Sequence, residues 1–217
     1  YETDVDDLGR ITGVRGPNEL ATGVPYAIAF EYQPLATFNE SGITAPAYAV
    51  TKHYDIQHPN DDLETVTFVD GFGRAVQVKK DGVVTSASKG NSAKDENVMI
   101  VSGRNVYDAF GRVAKSFYPT TEGTGSKSTF SKSFDNVSPT VTVYDVLDRA
   151  TSVTLPDNST TTTAYTVDNG SHALVTTVTD ALHNVQATHT NGSGKTLKTI
   201  QKSGPDGEIT TSFEYDG

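Results

Sequence analysis

Hydrophobic and polar residues alternate along the C-terminal half of the chain in short runs that turn-forming residues interrupt. "STTTTAYTV" (159–167), "HALVTTVTD" (172–180) and "EITTSFEYD" (208–216) are rich in Thr, Val, Ile and Tyr, and their two-residue periodicity predicts half-buried strands. Turns are expected to open at Asp145, Asp157, Asp168, Asp180, Asn191, Asp206 and Asp216, at intervals of 12, 11, 12, 11, 15 and 10 residues. One strand and one turn fill each interval, which reads as a continuous antiparallel meander. Two further strands are expected nearer the start, in "YAIAFEY" (26–32) and "APAYAVTKHYD" (45–55), without the same turns between them. Ala, Leu, Glu and Lys runs at helical spacing are missing, so the chain reads as all-β.

Within this pattern one hexad recurs: "VDDLGR" (5–10), "VDGFGR" (69–74), "YDAFGR" (107–112), "YDVLDR" (144–149), "TDALHN" (179–184) and a last "YDG" (215–217). Its aspartates, Asp6, Asp70, Asp108, Asp145, Asp180 and Asp216, are separated by 64, 38, 37, 35 and 36 residues, so the period is that of a repeat protein with an insertion in the first step. The hexad has the chemistry of a hairpin loop. Asp opens a type I turn by accepting amide hydrogen bonds, and a residue in the left-handed region follows. Gly9, Gly73 and Gly111 supply that residue in three copies, whereas Asp148 and His183 stand there in two, and both are types enriched at positive φ. Such exchanges point to a backbone requirement rather than a catalytic one.

The next residue is Arg10, Arg74, Arg112, Arg149 or Asn184, placed to reach back to the Asp or across to a neighbour. Tyr107, Tyr144 and Tyr215 precede the Asp in three copies. The apolar residues Leu8, Phe72, Phe110, Leu147 and Leu182 are expected to pack under the adjoining hairpin as anchors. Pro17, Pro119 and Pro156 lie seven residues beyond their Arg, and Asp81-Gly82 takes the equivalent place in another copy, which predicts a short strand and then a second turn. Residues 1–50 form a divergent β segment with one partial repeat, and 51–217 a YD-repeat sheet. The opening Tyr1 and the incomplete last hexad suggest a piece of a longer array.

Composition narrows the function further. With 17 Lys and Arg against 27 Asp and Glu the net charge is −10, and the basic residues do not cluster, which argues against nucleic acid as a partner. No run approaches the length needed to span a bilayer. Cysteine is missing, which removes disulfides and thiolate ligands. His53, His58, His172, His183 and His189 show no metal-ligand spacing, and the acidic groups at 4–7 and 60–62 lack the alternating ligand pattern of a calcium loop. Neither a nucleophile elbow nor a phosphate-binding glycine loop is present. No enzyme chemistry and no cofactor are therefore expected. Asn39, Asn136, Asn158, Asn169 and Asn191 open Asn-x-Ser/Thr triplets, which chance supplies in a chain this rich in Ser and Thr.

The tandem hexads, with "HYDIQHPNDDLETVTFVDGFGRAVQVKKDG" and "VTDALHNVQATHTNGSGKTLKTIQKSGPDGEITTSFEYDG", resemble the Rhs or YD-repeat family. The likeness is greatest to the shell-forming repeats of insecticidal toxin complex B and C components and of proteins of the Salmonella virulence protein B type. The resemblance implies a β-sheet spiralling into a hollow shell around a C-terminal toxic polypeptide, in a secreted or surface-exposed bacterial protein. Its partners would be the flanking repeats and an enclosed toxin domain. The cleavage motif of that family and any toxin domain are missing from these residues, so self-cleavage and toxicity do not carry over. A surface adhesion or carbohydrate-binding module of the same repeats is the alternative, and a propeller fits less well, since each period holds about three strands. Exposed sheet edges are expected to favour self-association.

Overall fold

The computed structural model describes all residues except 40–41, 88–91, 133–137, 203–206 and 217, and of 38–39 and 42–44 only the backbone. The chain forms two compact units, Tyr1–Val106 with Phe117–Val137, and Tyr107–Ser116 with Ser138–Gly217. Both are built on antiparallel sheet, as the alternating pattern requires.

The strands in chain order are β1 (Glu2–Val5), β2 (Ile11–Arg15), β3 (Ile28–Gln33), β4 (Thr37–Asn39), β5 (Gly42–Ala45), β6 (Ala47–His53), β7 (Leu63–Val69), β8 (Ala75–Ser86), β9 (Lys94–Ser102), β10 (Asn105–Tyr107), β11 (Val113–Ser116) and β12 (Thr120–Gly123). The first unit's sheet runs β1-β2-β3-β6-β7-β8-β9-β12, with β4 and β5 as a separate hairpin. Along β7 burial alternates, so that Glu64, Val66 and Phe68 point inward. Val50 on β6 joins Val66 and Phe68, with Tyr48, Val76 and Phe130 around them. Val98, Met99 and Val101 on β9 are also buried.

Phe130 belongs to a stretch that follows β12 through a 3₁₀ turn, Thr124–Ser126, and covers this face of the sheet. Its ring meets Phe68 edge-on at 5.5 Å, and Tyr48 packs against Phe68 at 5.3 Å. Gln77 and Lys79 lie fully buried beneath the same cover. A buried amide or ammonium group needs partners, and the cover supplies them. The Gln77 side chain donates to the Ser131 carbonyl (2.9 Å) and accepts from the Ser131 amide (2.8 Å). Lys79 Nζ donates to Glu122 (2.6 Å) and to the Ser126 carbonyl (2.8 Å). Burial works to raise the Glu122 carboxyl, but donations from Lys79, Ser131 and Ser126 leave it below the ordinary carboxylate range.

Two details differ from the sequence pattern. Pro17 ends β2 but opens a helix, α1 (Pro17–Thr22), instead of a turn, because its fixed φ suits the first helical position. Glu19 accepts from the Gly16 amide, and Gly23 at φ 73° closes the helix. Asp81-Gly82 makes no turn at all, since β8 runs straight through it. Asp81 instead accepts from the Glu64 amide (2.6 Å), and a Cβ on Gly82 would sit 2.5 Å from Ile100 Cδ1. Close packing against β9 explains this glycine better than turn formation.

The second unit's strands continue with β13 (Thr140–Tyr144), β14 (Ala150–Thr154), β15 (Thr160–Asp168), β16 (Ala173–Thr179), β17 (Val185–Thr190), β18 (Thr196–Lys202) and β19 (Glu208–Ser212). Its sheet order, β10-β11-β13-β14-β15-β16-β17-β18-β19, is the expected meander. Register places threonine opposite threonine on successive strands, as in Thr176–Thr188–Thr199–Thr211. Among the described residues of this unit, only Ala173, Val175 and His189 are buried.

Candidate functional site: the Asp-led turns and their tyrosine staples

Each complete hexad folds into the same five-residue loop. At the first copy the Asp6 amide donates to the Arg10 carbonyl and the Gly9 amide to the Asp6 carbonyl, both at 2.9 Å. That second bond closes a type I turn, and the residue after it must turn left-handed to rejoin the ladder. Gly9, Gly73 and Gly111 do so at φ 76°, 75° and 83°, and Asp148 and His183 at 62° and 64°. The ladder slips beside three of these turns, between Asp4 and Val5, Phe68 and Val69, and Val143 and Tyr144, whereas β16 and β17 keep their register beside the Asp180 turn.

The Asp side chain organises the loop from inside. Oδ1 of Asp6, Asp70, Asp108, Asp145 and Asp180 accepts from the amides two and four residues ahead at 2.8–3.0 Å. Oδ2 accepts from Nε of Arg10, Arg74, Arg112 and Arg149 at 2.7–2.8 Å. Asn184 Nδ2 replaces the guanidinium at Asp180, at 2.8 Å. These donors hold the carboxyls below their ordinary range: chiefly the Arg10 amide for Asp6, the Arg74 and Arg149 side chains for Asp70 and Asp145, and the Asn184 side chain for Asp180. At Asp108 the largest effect is burial, which raises the carboxyl, but donations from the Arg112 amide and guanidinium and the Phe110 amide, with the Arg112 charge, leave it below the ordinary range.

The cation also carries a tyrosine from a third strand. Arg10 stacks on Tyr32 (4.6 Å), Arg112 on Tyr144 (4.8 Å) and Arg149 on Tyr165 (4.0 Å). Each tyrosine hydroxyl then donates to the carbonyl just after that cation: Tyr32 to Ile11 (2.8 Å), Tyr144 to Val113 (3.1 Å), Tyr165 to Ala150 (3.3 Å). The ring lies on the strand beside the one that the turn begins, so the pair staples a third strand to a two-stranded hairpin. Arg112 reaches further still, from Nη1 to the Asp145 carbonyl (2.9 Å) and to Asp148 (2.7 Å), which links two successive turns.

A complete copy of this device stands where no hexad is written. Asn191 accepts from the Ser193 and Lys195 amides, Gly194 turns left-handed at φ 79°, and Lys195 stacks on Tyr215, whose hydroxyl donates to the Thr196 carbonyl (2.8 Å). Asn replaces Asp and Lys replaces Arg, so the signal is the five-residue spacing with an amide-accepting side chain first and glycine fourth. Tyr32 and Tyr165 left no mark in the hexads because their partners lie on other strands. The loop expected to open at Asp157 opens instead at Leu155: its amide bonds to the Ser159 carbonyl, and Asn158 at φ 68° takes the left-handed place.

The apolar turn residues do not pack as anchors. Leu8, Phe72, Phe110, Leu147 and Leu182 are 76%, 87%, 81%, 67% and 81% exposed, because the turn aims them outward at its apex. Phe72 and Phe110 lie against their own arginines, at 5.1 and 4.9 Å. Tyr107 is half-buried at the end of β10, and Asp216 is exposed. Asp206 and Asn136 lie outside the described residues, as does the side chain of Asn39.

The acidic run at 60–62 borders an open groove of about 370 Å³ with Asp55, His58, Glu64, Asp81 and Lys127. Three of its carboxylates have side-chain partners: Asp62 accepts from the Tyr26 hydroxyl, Asp55 from His58, and Glu64 pairs with Lys127 and Lys52. Burial, the largest influence on Asp81, raises its carboxyl. Among the described residues no three His, Asp or Glu side chains are grouped to hold a metal ion. No helix among the described residues is long and apolar enough to cross a membrane.

The family model described as a domain of unknown function, DUF6443, matches residues 42–166. The chain belongs to that family. The DUF6443 match starts at β5 and ends within β15, so it includes the turns at Asp70, Asp108 and Asp145. No curated relative matches the sequence. Among solved structures the DUF6443 chain is similar to the crystal structure of TcdB2-TccC3 without its hypervariable C-terminal region, with a TM-score of 0.64 and 15% identity. The likeness covers 99% of this chain and 15% of that one. The all-β antiparallel fold expected from the hexads is thus shared with part of the TcdB2-TccC3 chain.

Proposed function

We propose that this chain is a non-enzymatic wall segment of a bacterial Rhs-type toxin shell, secreted or displayed at the cell surface, which helps to enclose or deliver a C-terminal toxic polypeptide. The observation that carries the reading is the stapled turn, repeated at Arg10, Arg112, Arg149 and Lys195, within a fold that follows TcdB2-TccC3 over almost the whole chain. Asp, left-handed residue, cation and tyrosine are committed to one another in these loops, which leaves them to serve the wall. In this reading Asp6, Asp70, Asp108, Asp145 and Asp180 with their partners are structural, residues 1–50 are a divergent first segment, and 51–217 are the repeats proper. That boundary follows sequence pattern, whereas the compact units follow which strands touch.

Limited proteolysis of a longer parent polypeptide tests this. A segment C-terminal to the repeats is expected to survive protease that digests it when made alone, and the pair Asp108→Ala, Asp145→Ala to remove that protection. Equal digestion in the two settings overturns the reading.

A further inference from the structure

Two asparagines of the second unit are followed by glycine, and their loops treat them differently. Asn169-Gly170 lies in the loop Asp168–His172, and Asn191-Gly192 opens the turn that ends at Lys195. An asparagine in this setting can lose its amide when the glycine nitrogen attacks Cγ, because glycine has no Cβ to hinder the approach. The reaction needs a nitrogen that can give up its proton and a carbonyl oxygen that can take up negative charge.

At Asn169 the nitrogen is engaged. The Gly170 amide donates to Asp168 Oδ1 (3.0 Å), and losing that proton would place negative charge against a carboxylate. At Asn191 both conditions are met. Gly192 is exposed, and its amide has no acceptor among the described residues. Asn191 Oδ1 accepts from the Ser193 amide (3.0 Å) and the Lys195 amide (2.9 Å). Two backbone donors aimed at one oxygen stabilise the charge that builds there as the tetrahedral intermediate forms.

We propose that Asn191 is a site of self-deamidation, and that its product is the aspartate that the hexad turns already carry. Base removes the Gly192 amide proton, and the nitrogen forms a bond to Asn191 Cγ. The Cγ–Nδ2 bond then breaks, Nδ2 takes up a proton, and ammonia leaves behind a five-membered imide. Water opens the ring at Cγ, the Gly192 nitrogen regains its proton, and the side chain becomes an acid. Opening at the other carbonyl would give isoaspartate, whose extra backbone carbon breaks the five-residue loop, and the two amides on Oδ1 favour opening at Cγ. The new carboxylate then shares the loop with Lys195, which stands where Arg112 pairs with Asp108. Asp70-Gly71 shows why the change stops there. The Arg74 side chain above all holds the Asp70 carboxyl below its ordinary range, and an ionised carboxylate resists attack by nitrogen. The inference goes beyond the shell reading, concerns one loop, and stands or falls apart from it.

Peptide mapping of the full chain after incubation in mildly alkaline buffer tests it. The Asn191 peptide is expected to gain the mass of an amide-to-acid exchange well before the Asn169 peptide, with aspartate exceeding isoaspartate. A Cβ on Gly192 would meet nothing within 4 Å, so Gly192→Ala is expected to fold normally and to lose most of that gain. Asn191→Asp supplies the product at once and is expected to unfold at a higher denaturant midpoint than the unreacted chain. Conversion at Asn169 as fast as at Asn191, no conversion at all, mainly isoaspartate, undiminished conversion in Gly192→Ala, or a lower midpoint for Asn191→Asp would each overturn the proposal.

Discussion

The two units use the same strand chemistry and are held together differently. In the first, Val50, Val66 and Phe68 are buried under a stretch of chain that returns across the sheet, and even Gln77 and Lys79 beneath it are fully enclosed. In the second, three residues are buried among those described, and the strands display threonine on both faces. Its stability must come from the ladder and from side chains that fasten one hairpin to the next. The staples of Arg112 with Tyr144, Arg149 with Tyr165 and Lys195 with Tyr215 meet that need. A sheet fastened at its turns can grow one hairpin at a time without a core, which is the logic of a nearest-neighbour repeat array.

The sharpest way to break the comparison is to remove the centre of the core. Phe68→Ala leaves a cavity between Tyr48 and Phe130, and a buried Phe lost in this way costs about 3–5 kcal/mol. Hydrogen exchange is expected to accelerate in β6 to β9 while β14 to β18 keep their protection. Equal acceleration in both units would show that the core supports them jointly.

The reverse experiment targets a staple. Tyr144→Leu removes both the ring under Arg112 and the hydroxyl donated to Val113, for a loss of about 1–2 kcal/mol from a cation–π contact and one hydrogen bond. Tyr144→Phe keeps the ring, so about half of that loss is expected to return. Chemical denaturation of the two variants separates the contributions. The same effect from both would mean that the hydroxyl alone fastens the strand.

This contrast also explains what could be read from the sequence. The turns were legible because their geometry is set by five contiguous residues, so Asp70, Gly73 and Arg74 announce themselves together. The strands were legible through their alternation. Tyr32 and Tyr165 were not, since each acts on a turn 16 or 22 residues away that only the pairing of a third strand brings near. Nothing in the sequence marked Gln77 and Lys79 as buried, because the segment that covers them comes from beyond β12 and shows no hydrophobic run of its own. Leu8 and Phe72 misled in the opposite sense. Local pattern suggested anchors, but the turn's own geometry directs the third residue of the loop outward, whatever its character.

The smallest effect has the opposite sign and isolates the backbone requirement from every contact. His183 holds φ 64° in the Asp180 loop, where its own amide closes the turn on the Asp180 carbonyl. A non-glycine residue in that region is strained by roughly 1–2 kcal/mol, and glycine escapes the strain while losing more entropy on folding. His183→Gly is therefore expected to stabilise the second unit by about 0.5–1 kcal/mol, visible as a higher denaturant midpoint with an unchanged slope. Asp148→Gly relieves the same strain but also breaks the ion pair from Arg112, so it is expected to gain less. If His183→Gly instead destabilises the unit, the imidazole has a role of its own, and the exchange of Gly for His at this position is more than backbone tolerance.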